Sequence, residues 1–228
     1  MKNFMALLIG CFIMLEPHSV FAAVAQNGSG LSETLDVDTL KASTWVPDNR
    51  ASVTESGRQA ISAYTFRTGS GHFHHIGTYE YWNGGYKNDF FIQYKNRAGA
   101  DVYNSLGNAA VYMGQSVTYD IARWASDGTG SEWTYVIWHF TGSALFHNRF
   151  QTIGHSLTGG WALLDNLNTC TKQVVTAFQN LIYRQSNGTW GNIANNPNIS
   201  PNTNYPCTNL KGYTSGSLPG QVSLWINE

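Results

Sequence analysis

The clearest pattern in the chain is the alternation of apolar and polar residues over 116–141. Val117, Tyr119 and Ile121 recur at every second position, and the same period returns from Trp133 onward. Successive side chains of a β-strand point to opposite faces of its sheet, so this period predicts two strands. The segment between them contains Gly and Asp, as turns do. The stretch is therefore predicted to be a long antiparallel hairpin, central to its sheet.

Shorter runs of the same kind recur along the chain and are separated by Gly- and Asn-containing turns. Predicted strands cover 60–68, 76–82, 89–95, 101–104, 109–113 and 222–226. Asn83-Gly84-Gly85 and Asn187-Gly188 are hairpin turn signals. Short strands at near-regular spacing predict a mainly β, single-domain antiparallel sandwich or barrel-like fold.

One or two short helices are expected beside these strands. Residues 31–42 have apolar positions at helical spacing and Ser32 as a candidate cap. Cys170, Val174 and Phe178 recur at spacing four, which predicts a helix over 169–178. Residues 192–206 are rich in Pro and Asn and are predicted to be loop.

The first 22 residues have the composition of a secretory signal peptide, with Lys2, an apolar run and small residues at 20–22. A lipoprotein signal ending at Cys11 and a prepilin-like leader cut after Gly10 are alternatives. Export predicts a secreted or periplasmic protein, with 23–58 as an N-terminal extension and 59–228 as a β-rich recognition domain. No later segment is apolar and long enough to span a membrane.

The chain has three cysteines, and Cys11 lies in the predicted leader. Cys170 and Cys207 remain, and an oxidising compartment favours a disulfide between them. Closing a loop of that length stabilises by roughly 4 kcal/mol in the chain-entropy model.

Charge is scarce, with 13 basic and 14 acidic residues and a net charge of −1. This excludes a basic nucleic-acid surface. Aromatic residues make up 14% of the chain, and several lie near predicted loop tips, where rings can stack on sugars and amides can bind hydroxyls. The candidate binding residues are Trp82, Asn83, Trp124, Asp127, Trp133 and Trp190.

Candidate catalytic groups are less distinct. Ser156, in Gly154-His155-Ser156-Leu157-Thr158, resembles the nucleophile elbow of α/β-hydrolases, although Thr158 replaces a glycine and no histidine follows His155. His72 and His74 share a face of an extended segment and have workable metal-ligand spacing.

Glycoside hydrolysis needs two carboxylates that face one cleft. No spacing in the sequence selects such a pair among the acidic residues that lie near aromatic positions or apolar runs. These residues are Glu80, Asp89, Asp120, Asp127, Glu132 and Asp165.

The C-terminal third contains Cys170, the apolar run 181–183 and Gln185-Ser186-Asn187-Gly188-Thr189-Trp190. This arrangement resembles the end of shufflon-type minor-pilin tip proteins of type IV pili. The resemblance covers about 170–191, lacks the long N-terminal pilin helix, and places Arg184 near the family's second cysteine. It implies a β-rich, adhesin-like module that recognises a receptor.

The function expected from these observations is an exported adhesin-like or lectin-like module that binds neutral carbohydrate or a cell-surface receptor. The partners expected are a glycan or receptor and an exported protein, with no nucleic acid and no cofactor. A secreted hydrolase, using Ser156 or a pair of carboxylates, is the alternative from another class. A subunit of a secreted complex or toxin is the third.

Overall fold

The computed structural model describes residues 23–127, 130–165, 173–201, 211–216 and 221–227. They form two antiparallel sheets packed face to face, which confirms the predicted mainly β sandwich. The predicted signal peptide, Cys170 and Cys207 lie outside the described residues. No helix in the described part is long and apolar enough to cross a membrane.

The first sheet has seven strands, in the spatial order β13-β1-β10-β3-β4-β5-β6. These strands are β1 (Ala23–Gly30), β3 (Gln59–Thr68), β4 (Phe73–Trp82), β5 (Tyr86–Lys95), β6 (Asp101–Asn108), β10 (Leu157–Asp165) and β13 (Pro197–Pro201).

The second sheet has the order β14-β15-β11-β2-β7-β8-β9, and β12 pairs with β11. Its strands are β2 (Val37–Trp45), β7 (Ser116–Asp127), β8 (Gly130–His139), β9 (Ala144–Thr152), β11 (Val174–Gln185), β12 (Trp190–Asn192), β14 (Lys211–Ser215) and β15 (Val222–Asn227).

The predicted central hairpin is β7 and β8, with Tyr119 opposite Ile137. It lies between β2 and β9, so both strands have partners on each side. Tyr119, Ile121 and Ile137 point into the space between the sheets and are fully buried. The period-two pattern arises because one face of this hairpin packs on the core and the other faces outward.

The main core fills the space between the two sheets. Tyr64, Phe66 and Phe90 enter it from the first sheet, and Leu40 and Trp133 enter it from the second. Rings and branched side chains of this size exclude water from a large apolar area, which is the main driving force for folding.

A second, smaller apolar cluster lies on the opposite face of the first sheet. Its buried members are Val24, Ile61, Ala63, Tyr79, Phe91 and Leu163, and all of them belong to first-sheet strands. The middle strands of this sheet are therefore buried on both faces. We call the face with the main core the inner face, and the face with the second cluster the outer face.

Four local predictions were wrong, and the two helices come first. Residues 31–42 form a short 3-10 turn, Glu33–Leu35, followed by β2; Ser32 does cap that turn, accepting a hydrogen bond from Thr34 N. The described part of the second predicted helix begins β11. Spacing four satisfies a period of two as well as 3.6, so Val174 and Phe178 lie on one face of a strand.

Residues 109–113 contain a 3-10 turn, Ala110–Tyr112, in place of a strand. Part of the predicted loop 192–206 is the edge strand β13, where proline is tolerated because one side of the strand has no partner to bond. Residues 23–58, expected to be an extension, supply β1 to the first sheet and β2 to the second. This segment is therefore part of the sandwich.

Candidate active site

The outer face of the first sheet holds three adjacent rows of side chains set by strand register. One row contains Trp161, Thr65, His75 and Gln93. The middle row contains Leu163, Ala63, Gly77 and Phe91. The third row contains Asp165, Ile61, Tyr79 and Asp89. Polar groups therefore border an apolar middle row on two sides.

Asp165 is the first notable group, because it is a fully buried carboxylate on the face that does not contact the main core. It ends β10 directly after Leu164, which points into the core, and register places it beside Val24 and Ile61. Burying a carboxylate among apolar side chains costs free energy, so such a group is seldom retained without a function or a strong partner.

His75 is the second notable group. It is 5% exposed, and its Nδ1 lies 2.9 Å from Thr65 Oγ1 on the neighbouring strand. Burial lowers the pKa of His75 to about 4, because desolvation disfavours the charged form. The imidazole is therefore neutral over most of the pH range. No described atom hydrogen-bonds to its Nε2, although that nitrogen is buried.

Aromatic side chains and the carboxylate of Asp89 form one side of the outer face, and we call them the acidic and aromatic wall. Tyr81 donates a hydrogen bond from its hydroxyl to Asp89 Oδ2 at 2.9 Å, and its ring stacks on Tyr79 with centroids 4.8 Å apart. Burial, and then the hydrogen bond to Asp89, raise the pKa of Tyr81 to about 12. Phe91 and Tyr103 stack beside this pair. The wall offers flat apolar surface next to a carboxylate.

The centre of the middle row has no large side chain. A Cβ on Gly77 would lie 2.2 Å from the Ser62 carbonyl oxygen, so the backbone leaves no room for any other residue. Ala63 is its neighbour on β3. Leu163 and Phe91 flank these two small residues on the adjacent strands. We call this middle row the outer trough.

The inner face carries a different buried carboxylate, Glu80. Its Oε1 accepts from Asn49 N at 2.9 Å and from Tyr86 Oη at 2.5 Å, and its Oε2 accepts from Asn49 Nδ2 at 2.6 Å. Burial raises the pKa of Glu80, and the hydrogen bonds from Tyr86 and Asn49 partly oppose that rise. Asn49 also bonds the main chain of Val175, so this cluster fastens the first sheet to the second.

His74, one of the two candidate metal ligands, also lies on the inner face. Its Nδ1 accepts from Lys95 N at 3.1 Å, and its Nε2 lies 3.3 Å from Thr68 Oγ1. His72 precedes β4 and is partly exposed. Within the described residues, no three His, Cys, Asp or Glu side chains are close enough together to hold a metal ion.

The six candidate binding residues are not brought together. Trp133 is fully buried in the main core, because its position on β8 has the same parity as Tyr135 and Ile137; the expectation that it sits at a loop tip was wrong. Trp82 and Asn83 end β4 on the first sheet, whereas Trp124 and Trp190 belong to the second.

The exposed candidate binding residues already contact other side chains of the protein. Trp124 is 60% exposed, and the guanidinium of Arg149 lies 4.1 Å from its ring centroid. Trp190 has Lys41 and Arg184 over its ring, and Asp127 forms an ion pair with Arg97.

Ser156, the candidate nucleophile, is engaged by the main chain of β2. Its Oγ accepts from Val37 N at 3.0 Å and lies 3.3 Å from Val37 O, to which it donates. No imidazole or carboxylate in the described part of the chain hydrogen-bonds to it. The next carbonyl upstream, that of His155, accepts from Arg123. This geometry gives Ser156 a role in joining the 153–156 connection to the second sheet.

Comparison with solved structures gives a likeness to peptidases. Scytalido-glutamic peptidase with a peptide-based transition-state analog is 14% identical, with a TM-score of 0.51 over 91% of this chain and 98% of that one. SCP-B, a member of the eqolisin family of peptidases in complex with the tripeptide Ala-Ile-His, is 16% identical, with a TM-score of 0.45 over 91% and 98%.

The CBM2 module of Lactobacillus casei BL23 phage J-1 evolved Dit is 10% identical, with a TM-score of 0.36 over 92% and 64%. No family model and no curated protein matches the sequence. The likeness to scytalido-glutamic peptidase extends over nearly the whole of both chains and shows that the two share a two-sheet fold.

This finding overturns the expected function. Scytalido-glutamic peptidase, which shares the fold, is a peptidase, so the adhesin-like or lectin-like recognition module and the pilus-related interpretation were wrong. The secreted hydrolase, given above as the alternative, agrees better with the finding.

Sequence reasoning named Asp165 without selecting it and did not single out His75. Asp165 ends an otherwise uncharged strand, and a lone acid in such a run is a signal that could have selected it. The period-two rule places His75 and His74 on different faces of β4. Because β4 is buried on both faces, the pattern does not show which of the two histidines faces the main core. Thr65, Gln93 and Gly77 were missed because only register brings them beside His75.

Proposed function

We propose that this protein is an exported hydrolase of peptide bonds and that its reaction centre lies on the outer face of the first sheet, with Asp165 as the acid. The observation that carries the proposal is that the face away from the main core holds a buried carboxylate, Asp165, together with a buried donor, His75 Nε2, that has no acceptor in the described part of the chain. The fold shared with scytalido-glutamic peptidase supports the choice of peptide bonds over other hydrolysable groups.

The acid on this face is an aspartate and not a glutamate. The described glutamates lie elsewhere: Glu33 in a 3-10 turn, Glu55 in a loop, Glu80 on the inner face and Glu132 on the second sheet. Glu80, the buried one, already accepts three hydrogen bonds. These donors belong to Asn49 and Tyr86, and Asn49 also bonds the main chain of Val175 on the second sheet, so Glu80 is assigned a structural role.

The chemistry proposed for Asp165 is general acid–base catalysis. Its carboxylate takes a proton from a water molecule while the water oxygen bonds to the carbonyl carbon of the peptide, giving a tetrahedral intermediate. The protonated Asp165 then gives that proton to the amide nitrogen as the C–N bond breaks, which releases an amine and a carboxylic acid. Proton transfer by a positioned carboxyl group typically contributes about 10²- to 10⁴-fold in rate.

The outer trough suits the apolar parts of a peptide. Leu163, Phe91 and Tyr79 provide apolar side chains, and the small residues Ala63 and Gly77 lie between Leu163 and Phe91 in the same row. Closely packed apolar walls with a few polar groups are typical of ligand sites.

The test is digestion of a mixed peptide library by the mature chain, followed by mass spectrometry. We expect cleavage by the wild-type protein and at least about 100-fold lower kcat/KM for Asp165→Asn, which removes the proton acceptor but keeps the shape. Asp89→Asn is the matched control on the same face, and it should change the rate by only a few-fold. Retained activity in a well-folded Asp165→Asn variant would rule out the assignment.

A further inference from the structure

The hydrogen bond between Thr65 and His75 fixes which nitrogen of the imidazole carries the proton. The Thr65 hydroxyl is buried, and within the described residues the only atom in range to accept its proton is His75 Nδ1, at 2.9 Å. Buried hydroxyl donors are satisfied in the great majority of cases, so Thr65 donates and Nδ1 accepts. A neutral imidazole with Nδ1 as acceptor has its proton on Nε2.

His75 Nε2–H is therefore a buried donor that has no acceptor in the described part of the chain. It lies on the outer face because its neighbours on β4, His74 and Ile76, both point to the inner face. Buried donors without acceptors are rare in folded proteins, and each one calls for an explanation such as a bound ligand.

A second unused group lies directly beside it. Gln93 is opposite His75 on β5, is 7% exposed, and its side-chain amide makes no hydrogen bond to the described residues. Cβ atoms of directly opposite residues are about 4.5–5.5 Å apart, so the two polar groups reach the same space. Both are neutral, since burial keeps the pKa of His75 near 4. We call these two residues the His75–Gln93 pair.

We propose that the His75–Gln93 pair binds the main chain of the substrate peptide several residues away from the bond that is cut. This proposal rests on the proposed function and deepens it. Neutral N–H donors match neutral carbonyl oxygens, and the Gln93 carbonyl can accept from a peptide N–H. The ligand expected is thus an extended oligopeptide rather than a dipeptide or a free amino acid.

The distance to Asp165 sets the length of that peptide. Asp165 shares its row with Tyr79, which is four residues from His75 on β4, or about 13 Å along the strand. Asp165 and His75 are also two strands apart, roughly 10 Å. The diagonal is about 16 Å, which an extended chain spans with about five residues.

An aromatic wall beside the pair favours a peptide over other polar ligands. Trp161 shares the row of His75, and its ring lies 5.4 Å from the ring of Phe73. These rings offer apolar surface to a substrate side chain whose main chain is held by the pair.

The experiment measures kcat/KM for a series of peptides that share one cleaved bond and differ in length. For the wild-type protein, kcat/KM should rise about 10-fold or more once the peptide extends about five residues beyond that bond, because remote contacts contribute to the rate. His75→Ala should lose this gain, so that its kcat/KM for the long peptide divided by that for the short peptide falls to about one, with the same ratio in the wild-type protein as the reference.

Thr65→Val keeps the size of the side chain and removes the hydroxyl that fixes the tautomer of His75. Thr65 acts through His75 and is a positioning residue, so we expect the same pattern with a smaller loss of about three-fold. A direct readout is the ¹⁵N NMR signal of His75 Nε2 in the inactive Asp165→Asn variant, which should shift when the long peptide is added and not when the short one is added.

Two outcomes would overturn the inference. One is a wild-type kcat/KM that does not depend on peptide length. The other is an equal loss for short and long peptides in His75→Ala. Failure of the proposed function is distinguishable, because it would appear either as no cleavage of any peptide by the wild-type protein or as cleavage retained by Asp165→Asn, and neither result concerns the dependence on peptide length.

Discussion

The two faces of the first sheet carry the same kinds of buried polar group in different states. The inner face has His74 and Glu80, and the outer face has His75 and Asp165. On the inner face both nitrogens of His74 and both oxygens of Glu80 are hydrogen-bonded. On the outer face His75 has a buried Nε2 with no acceptor in the described part of the chain.

This difference separates a structural role from a binding role. Buried polar groups that are fully bonded hold elements together, as Asn49 does between Glu80 and Val175. A buried donor that the protein leaves unbonded costs stability and is retained where a ligand completes it. Burial alone is the same on the two faces, so it does not make the distinction.

The largest expected effect is on stability and concerns the inner carboxylate. Glu80→Ala leaves Asn49 N–H, Asn49 Nδ2 and Tyr86 Oη without their acceptor and should lower the free energy of unfolding by about 3–5 kcal/mol. Unfolding in urea measures this loss of free energy. Glu55→Ala, at an exposed ion pair with Arg58, is the control and should cost within about 1 kcal/mol. If Glu80→Ala lowered the free energy of unfolding by as little as Glu55→Ala, the structural role assigned to the inner face would be wrong.

The two adjacent histidines provide the next comparison. His74→Ala leaves the Lys95 N–H without an acceptor and removes a ring packed on Phe66, so it should cost roughly 2–3 kcal/mol. His75→Ala leaves the Thr65 hydroxyl without its acceptor but also removes an unsatisfied donor, so it should cost less, about 1–2 kcal/mol. Paired unfolding curves measure the difference. If His75→Ala were the more damaging change, the two faces would not differ as described.

The third comparison concerns the pH dependence of stability. Burial lowers the pKa of His74 to about 3 and of His75 to about 4, whereas in the unfolded chain both titrate near 6.5. Between about pH 4 and pH 6.5 the unfolded chain binds more protons, so stability falls as the pH falls. Each histidine contributes about 1.4 kcal/mol per pH unit to this slope.

The measurement for this third prediction is the free energy of unfolding at several pH values. His75→Gln should lower the slope by about one histidine's contribution. Glu80 acts in the opposite direction, because burial raises its pKa and its contribution is lost as the pH rises. A slope unchanged by His75→Gln would mean that His75 titrates in the folded protein as it does in the unfolded chain.

Much of the fold was accessible from the sequence because period-two alternation specifies both strands and faces. The β7–β8 hairpin followed from it, and the same parity could have placed Trp133 in the core beside Tyr135. The predicted helices failed where spacing four fits a strand equally well, as in β11.

The candidate site could be predicted from the sequence only in part. Asp165 and His75 carry a local signal, but β3, β4 and β10 are apolar on both sides, so no pattern tells the inner face from the outer one. Thr65 and Gln93 become neighbours of His75 through pairing between strands, and strands that are buried on both faces lack the polar–apolar alternation from which register can be predicted.

The most direct test compares kcat/KM on one cleaved peptide for Asp165→Asn and Glu80→Gln, two isosteric changes of buried carboxylates on opposite faces. Unfolding curves measured in parallel identify the fraction folded. If the outer face is the reaction face, Asp165→Asn should lower the kcat/KM of the folded fraction by at least about 100-fold. Glu80→Gln should lower stability and leave the kcat/KM of the folded fraction within a few-fold of wild type. The reverse result, with activity lost in Glu80→Gln and kept in Asp165→Asn, would contradict the assignment of the outer face.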